Sequence, residues 1–440
     1  MSSECFKKNM PKLNNSKWKS TKLGDLIDHK KGFAFKSKWF KEKGHPVIKV
    51  KDLTSDSIDM SNCIFLDENK AKEFRDVSLK ERDVLIATVG SWPTNPDSVV
   101  GKVIKVPKKA SNALLNQNAV RLRTKNSQFL NQLYLFYRLK NQDFSNYLTS
   151  GAQGSANQAS ITLNDIFNFE FSLPPIREQE SIAKFFASID KKIELNNQIN
   201  QILEKIGQTL FQQWFINFQF PDDNGQPYKS NGGEMVDSEL GKIPAGWDTT
   251  DLGNFISFKK GKKPPKLFDS PKEGLMPQIL IETLNGNEPA YTHPKNLTIA
   301  KYSDPLMIMD GANSGRLEIG YEGIIGSTLA KITSKTDLIS NYYLYYFLKD
   351  KENDIKENTT GTYLQHADKG KINKYILATP EKSILNIFDN LASNLVTKKV
   401  LNNNENRTLS KIRDSLLPKL MSGKIKVNIH EEVIQIERNK

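Results

Sequence analysis

Two kinds of apolar run alternate along this chain. The first kind is short and β-branched: Val47-Ile-Lys-Val50, Asp83-Val-Leu-Ile-Ala-Thr88 and Asn118-Ala-Val-Arg-Leu-Arg123. Such brief, partly alternating runs predict half-buried strands. A short amphipathic helix is predicted over 129–140, and Ser150-Gly-Ala-Gln-Gly-Ser-Ala-Asn157 then marks a loop. After Leu173-Pro-Pro175 the period changes. Ile182, Phe186, Ile189, Ile193, Ile199, Leu203, Ile206, Leu210 and Trp214 recur mostly at spacings of three and four, with no glycine before Gly207. That is the stripe of a coiled-coil-like helix. At 1.5 Å per residue, about forty residues span roughly 60 Å. A small domain cannot bury so long a stripe, so a partner helix is required.

The partner is in the same chain, because the whole plan occurs twice. Trp18-Lys-Ser-Thr-Lys-Leu-Gly-Asp-Leu-Ile27 aligns with Trp247-Asp-Thr-Thr-Asp-Leu-Gly-Asn-Phe-Ile256, and a basic pair and glycine follow each, Lys30-Lys31-Gly32 and Lys259-Lys260-Gly261. Further on, Tyr134-Leu-Phe-Tyr-Arg-Leu-Lys140 matches Tyr343-Leu-Tyr-Tyr-Phe-Leu-Lys349, and Leu203-Glu-Lys-Ile206 matches Leu409-Ser-Lys-Ile412. The offset falls from 229 to 209 to 206, so the second copy has shorter loops. Its predicted strands are Gln278-Ile-Leu-Ile281, Leu306-Met-Ile-Met309 and Leu329-Ala-Lys-Ile332, its short helix 339–349, and Thr359-Thr-Gly-Thr362 its loop. Its long stripe is Ile384, Phe388, Leu391, Leu395, Leu409, Ile412, Leu416 and Leu420. Asn196 and Asn197 interrupt the first stripe where Asn402 and Asn403 interrupt the second, a placement suited to fixing register.

The expected fold class is therefore α+β: two mixed α/β domains, each followed by a long helix, with the helices packed as an antiparallel coiled coil. The expected segments are a first globular domain over 1–176, a helix over 177–217, a linker over 218–246, a second globular domain over 247–380, a helix over 381–423 and a tail over 424–440. Antiparallel packing would set the globular domains at opposite ends of a spacer.

Charge narrows the function. The 440 residues carry 63 Lys+Arg against 50 Asp+Glu, a net of +13. Residues 1–150 hold 28 basic against 15 acidic side chains, and residues 251–440 hold 28 against 22. The stretch between them is acidic, 7 against 13. Two basic regions suit a polyanion, and nucleic acid is the commonest one. No run of about 18 apolar residues suggests a membrane span, and the start has no apolar signal core. The expectation is a soluble, cytoplasmic protein. Two cysteines, Cys5 and Cys63, exclude a disulfide framework, and the five scattered histidines lack metal-ligand spacing.

Catalytic patterns are absent. There is no Gly-x-Gly, no P-loop, no His-Glu-x-x-His and no Gly-x-Ser-x-Gly. Asp28-His-Lys30 and Glu68-Asn-Lys70 match only a weak nuclease ending in a lysine-rich chain. A large duplicated protein without a reacting site reads as a recognition scaffold without cofactor or metal. Two other readings stay open: a coiled-coil adaptor with incidental charge, and a DNA-binding enzyme with an unrecognised site.

Several blocks resemble the specificity subunit of type I restriction–modification systems. They are Leu173-Pro-Pro-Ile-Arg-Glu-Gln179, Ile189-Asp-Lys-Lys-Ile193, Leu210-Phe-Gln-Gln-Trp-Phe215, the linker Gly232-Gly-Glu-Met-Val-Asp-Ser-Glu-Leu-Gly-Lys-Ile-Pro-Ala-Gly-Trp247, and Ser415-Leu-Leu-Pro-Lys-Leu-Met-Ser-Gly-Lys-Ile425. The resemblance covers roughly 18–423. Copy two departs from it at Ala378-Thr-Pro-Glu-Lys382, which has one proline and no Glu-Gln. The resemblance implies two target recognition domains, each reading half of a split site in double-stranded DNA. It implies paired helices that set the gap and dock two methyltransferase subunits. Those subunits bind S-adenosylmethionine and modify adenine, and a restriction subunit (an ATP-driven translocase and nuclease) joins them. This chain would then be non-catalytic.

On that reading Lys30, Lys31, Lys36 and Lys38 are phosphate candidates in copy one, and Lys259, Lys260, Lys262 and Lys263 in copy two. Gln117, Asn118, Gln153 and Asn157, and in copy two Asn313, Ser314, Arg316 and Tyr363, are base-reading candidates. Gln179, Gln212 and Arg413, taken as exposed helix positions, and Trp214 and Phe215 near the helix end, are candidates for subunit contacts. The glycine-rich Asp310-Gly-Ala-Asn-Ser-Gly315 suits close approach to a backbone or a plain turn.

Overall fold

A computed structural model describes residues 18–54, 57–90, 100–151, 153–155, 158–361 and 365–427. Two compact units divide the chain, Lys191–Ser410 and the described residues of Met1–Asp190 with Lys411–Lys440. The division differs from the expected segments, because it passes through both long helices rather than beside them. Each unit therefore owns a stretch of each helix.

Unit one is built on a four-stranded antiparallel sheet in the order Ile27–Lys31, Ala119–Thr124, Val84–Ala87, Val103–Lys105. A second sheet runs Phe40–Lys41, Ile64–Leu66, His45–Ile48, Leu114–Leu115, its last pair parallel. Lys19–Lys22 pairs with Glu170–Leu173 and brings the two ends of the domain together. Unit two repeats this plan. Its antiparallel sheet runs Ile256–Lys260, Leu329–Ser334, Leu306–Ile308, Leu317–Glu318. Its second sheet contains the matching parallel pair, Met276–Ile279 with Gly323–Ile325, and Asp248–Asp251 pairs with Ile376–Thr379. The duplication read from scattered blocks is thus a duplication of strand order.

The short helices start later than the apolar pattern suggests. Asn131 accepts hydrogen bonds from the N–H groups of Leu133 and Tyr134, so the first helix is Gln132–Lys140 and Phe129 is left 65% exposed. Ser340 caps Tyr343 N–H in the same way and starts Asn341–Asp350. A capping side chain, not the first apolar residue, sets each boundary. Each sheet also carries a buried aspartate. Asp83 takes a bidentate bond from Arg123 at 2.6 and 2.7 Å and accepts Lys80 N–H; Asp304 takes Lys331 at 2.9 Å and Lys301 N–H. The carboxylates occupy matching turns, while the cation moves two residues along the equivalent strand.

The first long helix is Ile176–Phe211 and continues as a π turn over Gln212–Ile216. The extra residue per turn lets the adjacent side chains Trp214 and Phe215 both face inward. They pack on Phe388 and Tyr343 in the core of unit two. Gly207 has a steric reason: a Cβ there would lie 2.1 Å from the Tyr346 hydroxyl. The second long helix is Lys382–Met421.

Within unit two these helices run antiparallel through a layer of asparagines. Asn402 Nδ2 donates to Asn200 Oδ1, and Asn200 Nδ2 donates to Asn403 Oδ1, both at 2.8 Å. Asn196 Nδ2 donates to Asn406 Oδ1, and Asn406 Nδ2 donates to Asn197 Oδ1, both at 2.9 Å. Exchanging each asparagine for the one 206 residues away in the other copy turns one chain of bonds into the other. Asn196 and Asn402 are buried, so a slip of one turn would set amides against the apolar seam.

One titration is expected to weaken unit two. Burial pushes the Asp389 carboxyl up to about 6, against the hydrogen bond it accepts from Ser340 Oγ. The folded chain therefore holds the proton more tightly than the unfolded chain does. The resulting stabilisation is full below about pH 4 and lost as pH rises through about 6. Asp389→Asn keeps the acceptor oxygen and removes the charge. It should melt above the unsubstituted chain at pH 8, with the gap closing by pH 4; equal melting at pH 8 would contradict this account.

Candidate nucleic-acid interface

The basic pair of each copy lies at the sheet edge, on Ile27–Lys31 and Ile256–Lys260. The following glycine is there for packing. A Cβ on Gly32 would lie 2.0 Å from the Asn116 carbonyl oxygen, and one on Gly261 would lie 2.2 Å from the carbonyl oxygens of Ile325 and Gly326. Both glycines donate their N–H to the neighbouring strand, Gly32 to Ala119 O and Gly261 to Leu329 O, at 3.0 Å.

Lys31, Lys36, Lys38, Lys259, Lys262 and Lys263 are exposed, as a phosphate contact requires. Lys30 and Lys260 are already engaged. Lys30 pairs with Asp76 at 2.5 Å, and its hydrogen bond holds the Asp76 carboxyl below the usual range. Lys260 pairs with Asp310 at 2.7 Å, and His366 Nδ1 sits 2.8 Å from the same carboxylate. Burial works to raise Asp310, but the Lys260 and His366 bonds outweigh it and hold the carboxyl low.

Among the base-reading candidates, Gln117 and Asn313 are exposed and Asn118 is half-buried. Gln153 lies on the strand Gln153–Ser155. Asn157 and Tyr363 lie outside the described residues. Ser314 does not present itself to a ligand. It is buried, and its Oγ sits within 2.7 to 3.2 Å of the carbonyl oxygens of Gly311, Gln365 and Met309. It closes the glycine-rich stretch into a turn, with Gly311 and Gly315 at φ of +100° and +89°. Arg316 is spent on Glu318 at 2.8 Å and Asn285 at 2.7 Å.

The helix candidates separate too. Gln179 was expected to be exposed and is fully buried. Its Oε1 accepts Asn131 N–H at 2.9 Å, and its Nε2 donates to Phe129 O at 2.9 Å and Pro174 O at 2.8 Å. It ties the first long helix to the globular domain that precedes it. In copy two, buried Leu385 stands at the 206-residue offset, which accounts for the missing Glu-Gln there. Trp214 and Phe215 are core residues, as described. Arg413 is half-buried and bonds Asp190 at 3.1 Å and Asp414 at 3.0 Å. Gln212 is exposed and donates to Asp350 Oδ1.

Missed by the sequence reading were Lys70, Lys266 and Lys272, and the seating of these lysines and of Lys36 over aromatic rings. Lys36 and Lys70 ammonium groups lie 5.5 and 4.8 Å from the Trp39 ring centroid. Lys266 and Lys272 lie 5.0 and 5.9 Å from that of Phe268. The available signal was the position of the ring, seven residues beyond Gly32 and Gly261 respectively. Among the described residues, no cluster of His, Cys, Asp and Glu could hold a metal, and no helix is long and apolar enough to cross a membrane.

Comparison with known proteins agrees with this duplicated architecture. The family described as type I restriction modification DNA specificity domain matches residues 15–205 and again 244–405. The type I restriction enzyme MjaIX specificity subunit of Methanocaldococcus jannaschii is 30% identical over 313 residues, 67% of this chain and 69% of that protein. The putative MjaX specificity subunit of the same organism is 24% identical over 93% of this chain and 94% of its own length. A crystal structure of the type I restriction–modification S subunit from M. genitalium shares the fold with a TM-score of 0.55 at 17% identity, covering 93% and 97% of the two chains. Two matches to one domain family, in register with two copies of one strand order, decide the assignment: the chain belongs to the type I restriction–modification DNA specificity family, as a specificity subunit with two recognition domains.

Proposed function

We propose that this chain supplies the DNA address of a cytoplasmic type I modification and cleavage complex. Each recognition domain reads one half of a gapped site in double-stranded DNA, and the paired helices set the gap. The helices dock two methyltransferase subunits and, through them, the restriction subunits. Chemistry and cofactor belong to those partners, and this chain is non-catalytic. The observation that carries the reading is the repeated sheet with a basic edge in each copy, which leaves one exposed, uncommitted lysine of each pair: Lys31 in the first and Lys259 in the second. Phosphate contact is assigned to Lys31, Lys36, Lys38, Lys259, Lys262 and Lys263, and base reading to Gln117, Asn118 and Asn313. Docking is supported by apolar side chains left in water on the helices of unit two. Leu195, Ile202, Ile206, Ile387, Leu391 and Leu401 are each more than 40% exposed.

The test is strand-resolved mapping of methylated adenine in cells with and without the gene. One gapped motif should vanish on deletion. Replacing 247–380 with another recognition domain should change one half of that motif and leave the other. A continuous motif, or an unchanged map in a strain whose methyltransferase is expressed, would overturn the reading.

A further inference from the structure

Resting on the assignment as a DNA specificity subunit, we propose that each recognition domain grips the phosphodiester backbone through ring-seated lysines: Lys36 on Trp39, where Lys70 sits beside it held by a carboxylate, and Lys266 and Lys272 on Phe268. Three of these four lysines were invisible as candidates in the sequence. Three observations carry the proposal. The rings occur at the same distance, seven residues, from the glycine that ends each basic sheet edge. Each ring has two ammonium groups within 6 Å of its centroid, which is the range of a cation–π contact. Finally, each ring is supported from behind. Trp39 packs on Phe74, which packs on Phe33 and Phe35, and Phe268 meets His293 edge-on while its backbone bridges Tyr291.

The physical consequence is preorganisation. A free lysine loses much rotamer freedom when it fixes a phosphate. A ring that already holds the ammonium lowers that loss, and it uses none of the three N–H donors in a conventional hydrogen bond. The net charge remains available. Among the described residues Lys36, Lys266 and Lys272 have no carboxylate partner. Lys70 does: Glu73 lies 2.6 Å away and neutralises it. The two copies should therefore differ, with two live cations on Phe268 and one on Trp39.

The experiment measures binding of the full chain to a 30-base-pair mixed-sequence duplex between 50 and 400 mM KCl. Releasing one phosphate contact lowers the slope of log affinity against log salt by about 0.9, and lowers affinity about eightfold at 0.1 M. Lys36→Gln, Lys266→Gln and Lys272→Gln should each do this, and Glu73→Gln should steepen the slope by freeing Lys70. Trp39→Leu and Phe268→Leu keep the charges, so the slope should hold while affinity falls about threefold, and Trp39→Phe should restore it. Surface Lys→Gln changes leave the fold intact, which melting curves verify. Steep salt dependence in the unsubstituted chain with unchanged slopes in all three lysine variants would overturn the proposal alone. Salt-independent or absent DNA binding by the unsubstituted chain would overturn the assigned function with it.

Discussion

Gln179→Leu should destabilise unit one by about 3–5 kcal/mol. The side chain is fully buried and serves three backbone groups: it accepts from Asn131 N–H and donates to Phe129 O and Pro174 O. Leucine has nearly the same volume, so the cost is not a cavity. It is the desolvation of a buried N–H and two carbonyls left without partners, about 1–3 kcal/mol for each group that cannot recruit water. The N–H matters most. Asn131 caps Gln132–Lys140, and its own backbone is fixed by Gln179. Loss of that bond loosens the cap, the helix start and the seating of the recognition domain on the long helix together. Calorimetry on the full chain should show the transition of unit one moved down, with that of unit two unmoved. A shift of less than 1 kcal/mol would mean that water or a neighbouring donor replaces the amide.

Gly32→Ala and Gly261→Ala should each cost about 3 kcal/mol, with the sign opposite to the usual one. At a position that accepts a side chain, Gly→Ala stabilises by about 0.4–1 kcal/mol, because the unfolded chain has fewer states to lose. Here the added Cβ would sit 2.0 Å from Asn116 O in one copy and 2.2 Å from two carbonyl oxygens in the other. Backbone atoms cannot swing away as a flexible side chain does. The strand edge must part from the central strand, and the 3.0 Å bonds from Gly32 and Gly261 lengthen with it. For units of about 200 residues, 3 kcal/mol corresponds to a melting shift of roughly 6–12 °C. Denaturation of each variant should report the loss in its own unit. The double variant should sum the two, since the sites share no partner. Because Lys31 and Lys259 lie within two residues of these glycines, DNA affinity should fall in the same variants by displacement of the basic edge.

The repeat itself was legible in the residues. Tryptophan, basic pair, short helix and long stripe recur in order, and the strand patterns at 84–87, 119–124 and 306–308 lie where the alternation put them. The asparagine interruption was legible too, because a polar residue in an apolar stripe stands out without knowledge of its partner. The pairing was not. That Asn196 meets Asn406 and Asn402 meets Asn200 depends on the antiparallel register of two helices some two hundred residues apart. Exposure was the weakest inference. Gln179 is polar and opens a helix, which argues for a wet position. Only the tertiary fold reveals three orphaned backbone groups converging on it.

By itself, then, the sequence determined what local chemistry determines: the period of each segment, its turns, the duplication, the excess of positive charge and the absence of any known reacting constellation. Those properties follow from neighbours a few residues away and survive in any packing. The tertiary structure decided which polar groups are spent inside the fold and which remain for a ligand. Lys30, Lys260, Arg316 and Ser314 look like ligand groups in sequence, but they are bonded to Asp76, Asp310, Glu318 and the carbonyl oxygens around Gly311. The lysines over Trp39 and Phe268 look like solvent charges, and the structure gives them a seat. The physical reason is the same in both cases. A charge or a donor acquires its role from the group opposite it, and that group is supplied by distant parts of the chain.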